Sequence, residues 1–105
     1  MAKIAVVEDN DAMREQLCGF IAQYARESGR QLDVTAFADG AEIVDPYRPG
    51  FDIIFLDIEM PTLGGMPTAE RIRQVDPDVV LVFVTNMAQY AIRGYEVDAL
   101  DFVLK

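Results

Sequence analysis

Four short apolar runs in this 105-residue chain each close on a side chain that can do chemistry. Glu8 and Asp9 follow Lys3–Val7. Asp57 follows Ile53–Leu56, with Glu59 and Pro61 just beyond. Thr85 follows Val79–Val84, and Lys105 follows Ala99–Leu104. If these runs are parallel strands, their carboxyl ends share one edge, and neighbours lie roughly 4.8 Å apart. Glu8, Asp9 and Asp57 then meet, and three such carboxylates repel unless a proton or cation intervenes. A hard divalent ion is the simplest remedy, since Mg²⁺ takes carboxylates, waters and phosphate oxygens. A carboxylate, Mg²⁺, a hydroxyl and an ammonium are the parts of a phosphoryl-transfer site. Asp57 is the nucleophile, because carboxylates form aspartyl phosphates. Thr85 and Lys105 stabilise charge on the phosphoryl oxygens.

Each residue has a plainer role available. An acid pair after a strand often only complements a helix dipole. A single Asp or Thr after a strand is commonly a cap, and a terminal lysine is commonly solvated. Cys18, beside Leu17, reads as core. The specificity lies in the combination, because chance scatters such groups between both ends of a sheet.

The elements that must position these groups follow from periodicity. Lys3–Val7 is a strand. Asn10 or Asp11 caps a helix with Met13, Leu17, Phe20, Ile21 and Tyr24 on its apolar face, ended by Ser28-Gly29. Leu32–Ala38 is a strand, Asp39-Gly40 a turn, and Ala41–Val44 a short helix broken by Pro46, Pro49 and Gly50. Ile53–Leu56 is continuously apolar, as in a strand buried on both faces. Residues 61–65 form a loop. Thr68–Val75 is a helix facing the core with Ala69, Ile72 and Val75. Val79–Val84 is a second buried strand, Ala88–Tyr95 a helix, and Ala99–Leu104 the last strand. Strands alternating with helices imply βαβ units and a parallel sheet in an α/β domain spanning 1–105. A parallel sheet needs helices on both faces, so we expect the chain to be cut before a fifth helix.

Composition excludes several classes. Eighteen Asp and Glu against nine Lys and Arg give a net charge of -9. That argues against direct nucleic acid contact by this domain. One cysteine permits no internal disulfide and suits a cytoplasmic location. No run is long enough to span a membrane. Histidine is absent, which removes His-based zinc sites and Ser-His-Asp triads.

These residues carry a resemblance. Val6-Val7-Glu8-Asp9, Leu56-Asp57-Ile58-Glu59-Met60-Pro61, Gly64-Gly65-Met66, Val82-Phe83-Val84-Thr85 and Ala99–Lys105 together resemble the receiver domain of bacterial two-component response regulators. The resemblance implies a flavodoxin-like, doubly wound, five-stranded sheet of order 2-1-3-4-5. It makes Asp57 the phosphoacceptor and Glu8 and Asp9 the metal-binding pair, with the Glu59 carbonyl a further ligand. It makes Thr85 and Phe102 the switch residues and Lys105 the phosphate-binding lysine. A sensor histidine kinase is the implied phosphodonor, and the protein is a switch, not an enzyme. The segments Phe83–Asn86, Tyr90–Ile92 and Tyr95–Asp101 resemble the subgroup whose receiver precedes a LytTR-type DNA-binding domain.

Three features depart from the family. The acid pair is Glu-Asp where Asp-Asp is commoner, Asn86 stands where a small residue is usual, and the chain stops at Lys105. Without a fifth helix, apolar sheet surface stays open, so we expect a homo-oligomer or an exchanged dimer. Three rival readings exist. A haloacid dehalogenase-like phosphatase places its nucleophile after the first strand with a second Asp two residues on, which Glu8-Asp9-Asn10 does not match. A flavin binder needs a phosphate-cradling loop where this chain has acids. A receiver that ignores phosphate usually lacks one of the site residues, and all are present here.

Overall fold

A computed structural model describes residues 1–58, 60–85 and 101–104, with backbone alone for 85 and 101–104. In chain order the elements are β1 (Ala2–Val7), α1 (Asp11–Ser28), β2 (Leu32–Phe37), α2 (Gly40–Val44), β3 (Ile53–Leu56), α3 (Gly65–Val75), β4 (Val80–Thr85) and β5 (Asp101–Leu104). The sheet has the expected order β2-β1-β3-β4-β5, and every pairing is parallel. The helix expected over Ala88–Tyr95 lies outside the described residues.

Alternation along the strands gives the sheet two faces. Ala5, Val7, Ile54, Leu56, Leu81 and Phe83 turn to one face and bury against Ile43 of α2 and Met66, Ala69 and Ile72 of α3. Ile4, Ile53 and Phe55 turn to the other, where α1 lies and an open apolar groove of about 440 Å³ runs between helix and sheet. Leu17, Phe20, Ile21 and Tyr24 form the helix side of that groove.

This groove corrects the reading of α1. Its apolar stripe is where the period puts it, yet no residue of α1 is fully buried. Phe20 is 59% exposed and Tyr24 55%. Cys18, expected in the core, is only half-buried. Val75, expected to face the core, is 56% exposed at the last residue of α3, so the apolar period runs one turn further than the packing.

α3 starts at Gly65, three residues before the expected Thr68. Pro67 falls in the first turn, where a missing N–H costs nothing because it has no acceptor in the helix. Gly29 ends α1 in the left-handed region at φ 70°, as its sequence position suggested. Beneath the sheet, the Tyr47 hydroxyl donates to Asp76 Oδ2 at 2.8 Å and ties the segment before β3 to the end of α3. Burial, then that carboxylate, pushes the phenol well above its usual range.

Candidate functional site

The site begins with backbone register. β1 and β3 pair with Val7 opposite Leu56. The ladder runs one step further, because Asp57 N donates to the Val7 carbonyl at 2.9 Å. On the other flank, Glu8 N donates to the Phe37 carbonyl at 3.0 Å. These bonds hold Glu8 and Asp57 side by side before any side-chain contact is considered.

The result is a cluster of three carboxylates. Glu8, Asp9 and Asp57 each offer an oxygen, and these oxygens lie within 4.8 Å of one another. Glu8 is 1% exposed and Asp57 6%, while Asp9 faces solvent. Asp57 Oδ1 accepts from the Ile58 N–H at 2.9 Å, which orients its carboxylate. Glu8 Oε2 lies 3.5 Å from the Asn10 N–H, the outer limit of a hydrogen bond. Two largely buried carboxylates beside a third, all oxygen donors, fit a hard divalent cation such as Mg²⁺. Asp9, Ile58, Met60 and Pro61 line the open cavity at this mouth.

Of the expected site residues, the structure brings together Glu8, Asp9 and Asp57. Thr85 closes β4 opposite Leu104 of β5, and Phe102 lies in β5 opposite Phe83. Both therefore belong to strands on the same sheet. Glu59 and Lys105 lie outside the described residues.

Several residues at the site were given no role there from sequence. Gly65 is one: a Cβ there would overlap the Asp57 carbonyl oxygen, and its N–H donates to the Ile58 carbonyl at 2.8 Å. The start of α3 thus rests directly on the backbone at the end of β3. Arg14 is another, since its guanidinium donates to the Glu8 carbonyl at 2.9 Å and pairs with Asp11. It braces the first turn of α1 against the end of β1.

Asp39 is the third, and it corrects the reading of Asp39-Gly40 as a simple turn. It caps α2 by accepting from Ala41 N at 2.9 Å. The same carboxylate crosses to the loop after β3, accepting from Thr62 N at 3.0 Å and Leu63 N at 2.9 Å. Burial alone would raise this carboxyl, but the three N–H donors outweigh it and hold it below its ordinary 3.8. The sequence signal was Asp39 with Glu42 three residues on, a cap followed by an acid, which marks a helix start.

Comparison with known proteins agrees with this arrangement. The family described as "Response regulator receiver domain" matches residues 4–105. The Sensory transduction protein LytT of Bacillus cereus is 32% identical over all of this chain and 42% of its own length. The Transcriptional regulatory protein YpdB of Escherichia coli is 30% identical over 98% of this chain and 41% of its own. Among solved structures, the non-phosphorylated HemR receiver domain of Leptospira biflexa superposes with a TM-score of 0.86 at 30% identity, covering all of this chain and 82% of that one. The response regulator TrrA of Thermotoga maritima, in complex with Mg²⁺-BeF, gives 0.85 at 25% identity, covering all of this chain and 87% of that one. The chain spans less than half the length of the curated relatives it matches.

Proposed function

The chain belongs to the response regulator receiver domain family, and on that premise we propose that it is a switch operated by phosphorylation of Asp57. The observation that carries this reading is the three-carboxylate cluster at the ends of β1 and β3. Its relatives are LytT-like regulators, in line with the subgroup the sequence resembled.

In the proposed reaction an Asp57 carboxylate oxygen attacks the phosphorus of a phosphohistidine on a sensor histidine kinase. A P–O bond forms, the P–N bond breaks, and the imidazole nitrogen keeps the electron pair. The Ile58 N–H holds Asp57 Oδ1 in place for this attack. Glu8 and Asp9, with the Glu59 carbonyl, would hold Mg²⁺ beside Asp57. Bound there, the ion supplies positive charge against the phosphoryl oxygens. Lys105 adds an ammonium, and Thr85 a hydroxyl that bonds one oxygen of the product.

The phosphoryl group adds roughly -1.5 to -2 charge and three acceptor oxygens. Moving a two-state equilibrium from 1:99 to 99:1 needs about 5.5 kcal/mol of bias. Charge-assisted bonds at about 1.5 to 3 kcal/mol each can supply that. Thr85 and Phe102 carry the change, and the output is a LytTR-type DNA-binding domain in a cytoplasmic protein. Among the described residues no helix is long and apolar enough to cross a membrane. The open groove beside α1, with Phe20 and Tyr24 at its rim, is the surface through which this chain associates with a second copy.

The test is labelling with a small-molecule phosphodonor, with and without Mg²⁺, mapped by mass spectrometry. One phosphoryl group on Asp57, dependent on Mg²⁺ and lost in Asp57→Asn, is the expected result. Full labelling of Asp57→Asn refutes the assignment. Steady turnover of a phosphate monoester would favour the phosphatase alternative.

A further inference from the structure

We propose that Asp39 is a positioning residue for the cation site, pinning Thr62 and Leu63 to the start of α2 and so fixing the wall that Met60 and Pro61 form beside Asp9. This rests on the reading of the acid cluster as a Mg²⁺ site.

The loop from Ile58 to Gly65 is closed at its neck, where Gly65 N donates to the Ile58 carbonyl at 2.8 Å. A closed neck alone leaves the far side of the loop free to pivot. Asp39 supplies the second attachment. Its Oδ2 accepts from Thr62 N and its Oδ1 from Leu63 N, across more than twenty residues of chain. Met60 and Pro61 lie between the neck and this attachment, and both line the cavity that Asp9 shares. Met60 and Pro61, which border the cavity beside Asp9, are therefore held at both ends.

Neighbouring packing favours the same geometry. A Cβ on Gly40 would overlap Thr68 Oγ1 and press on the Leu63 carbonyl oxygen, so the start of α2 abuts the loop and α3 directly. Thr68 is fully buried, and its hydroxyl donates to the Gly64 carbonyl at 2.7 Å. Asp39 itself is 8% exposed, so its bonds to the loop compete little with water.

Why should this matter to a cation? Mg²⁺ demands near-octahedral geometry and keeps several waters, so a displaced wall disturbs the space those waters occupy. Outer partners of metal sites commonly change affinity by about 10- to 100-fold. Asp39 lies further out, so the expected effect is at the low end of that range.

The experiment separates capping from pinning. Asp39→Ser keeps a good cap for α2 but is too short to reach Thr62 and Leu63. Asp39→Asn keeps one acceptor oxygen and turns an amide donor toward one loop N–H. Mg²⁺ affinity is measured by titration calorimetry without any phosphodonor, and fold stability by urea unfolding. The expected result is Mg²⁺ binding weakened about tenfold in Asp39→Ser, with Asp39→Asn intermediate. Labelling of both variants should recover at saturating Mg²⁺. Equal affinity in wild type and variants, whatever the change in stability, overturns the role of Asp39. If Asp39→Ser does not fold, Asp39→Asn decides alone on the same criterion. Wild type that binds no Mg²⁺ overturns this proposal together with the function on which it rests.

Discussion

Gly65 and Asp57 approach so closely that the hydrogen on the Gly65 Cα occupies the only space left beside the Asp57 carbonyl oxygen. The first residue of α3 is thereby locked onto the end of β3. Replacing Gly65 by Ala should force the helix away from the strand. Inserting an extra carbon into a packed site costs about 1 to 3 kcal/mol. Urea unfolding should show that loss, and phosphodonor labelling should slow at the same time, because the backbone that moves carries Asp57. Unchanged stability would mean the helix start shifts freely.

The acid cluster predicts a second pair of variants. Asp9→Asn should fold normally, since Asp9 faces solvent. Glu8→Gln keeps the buried shape while removing a charge. Each should weaken Mg²⁺ binding by about tenfold or more, as loss of a coordinating carboxylate does. Without Mg²⁺ each should be as stable as wild type or more so, because one like-charge neighbour of Asp57 is gone. A large loss of stability without Mg²⁺ would point to a structural role for the pair instead.

Acid should act through Asp39. Its carboxyl is held below its ordinary 3.8 by three backbone donors. A lowered folded-state pKa means a stabilising contribution that is complete above the unfolded value and lost as pH falls through the folded one. Wild type should therefore lose stability below about pH 4 more steeply than Asp39→Asn, which does not titrate. Parallel stability profiles for the two would show that Asp39 is not the group responsible.

The groove beside α1 gives the last expectation. Phe20 and Tyr24 stand more than half exposed at its rim, next to Ile4, Ile53 and Phe55. Sedimentation should show association that rises with concentration. Phe20→Glu should shift the chain toward monomer by placing a charge on an apolar surface of an already acidic chain. A clean monomer at high concentration would remove this surface as a contact between copies.

Much of this architecture was legible before any coordinates. Runs such as Ile53–Leu56 and Val79–Val84 are short, apolar and rich in β-branched and aromatic residues, which favours buried strands, and parallel pairing sends their ends to one edge. Glu8, Asp9 and Asp57 followed from that edge. Asp39 did not, because its importance comes from bonds to Thr62 and Leu63, and a tertiary contact of that length leaves only a local cap signal. Gly65 was quoted as part of a motif, but its packing role was hidden for a similar reason: Gly64-Gly65 looks like loop punctuation until α3 is seen resting on β3. The exposed ring positions of α1 show the reverse, since periodicity names the apolar face of a helix but not how much of it is covered.

One consequence of the β1–β3 ladder concerns length rather than composition. Val7 and Asp57 are joined by a main-chain bond, so Glu8 owes its orientation to residue count along β1. A single insertion between Lys3 and Val7 would send that carboxylate to the opposite face of the sheet, since side chains alternate. Such a chain could keep every acid in its composition and still lose the pocket they make.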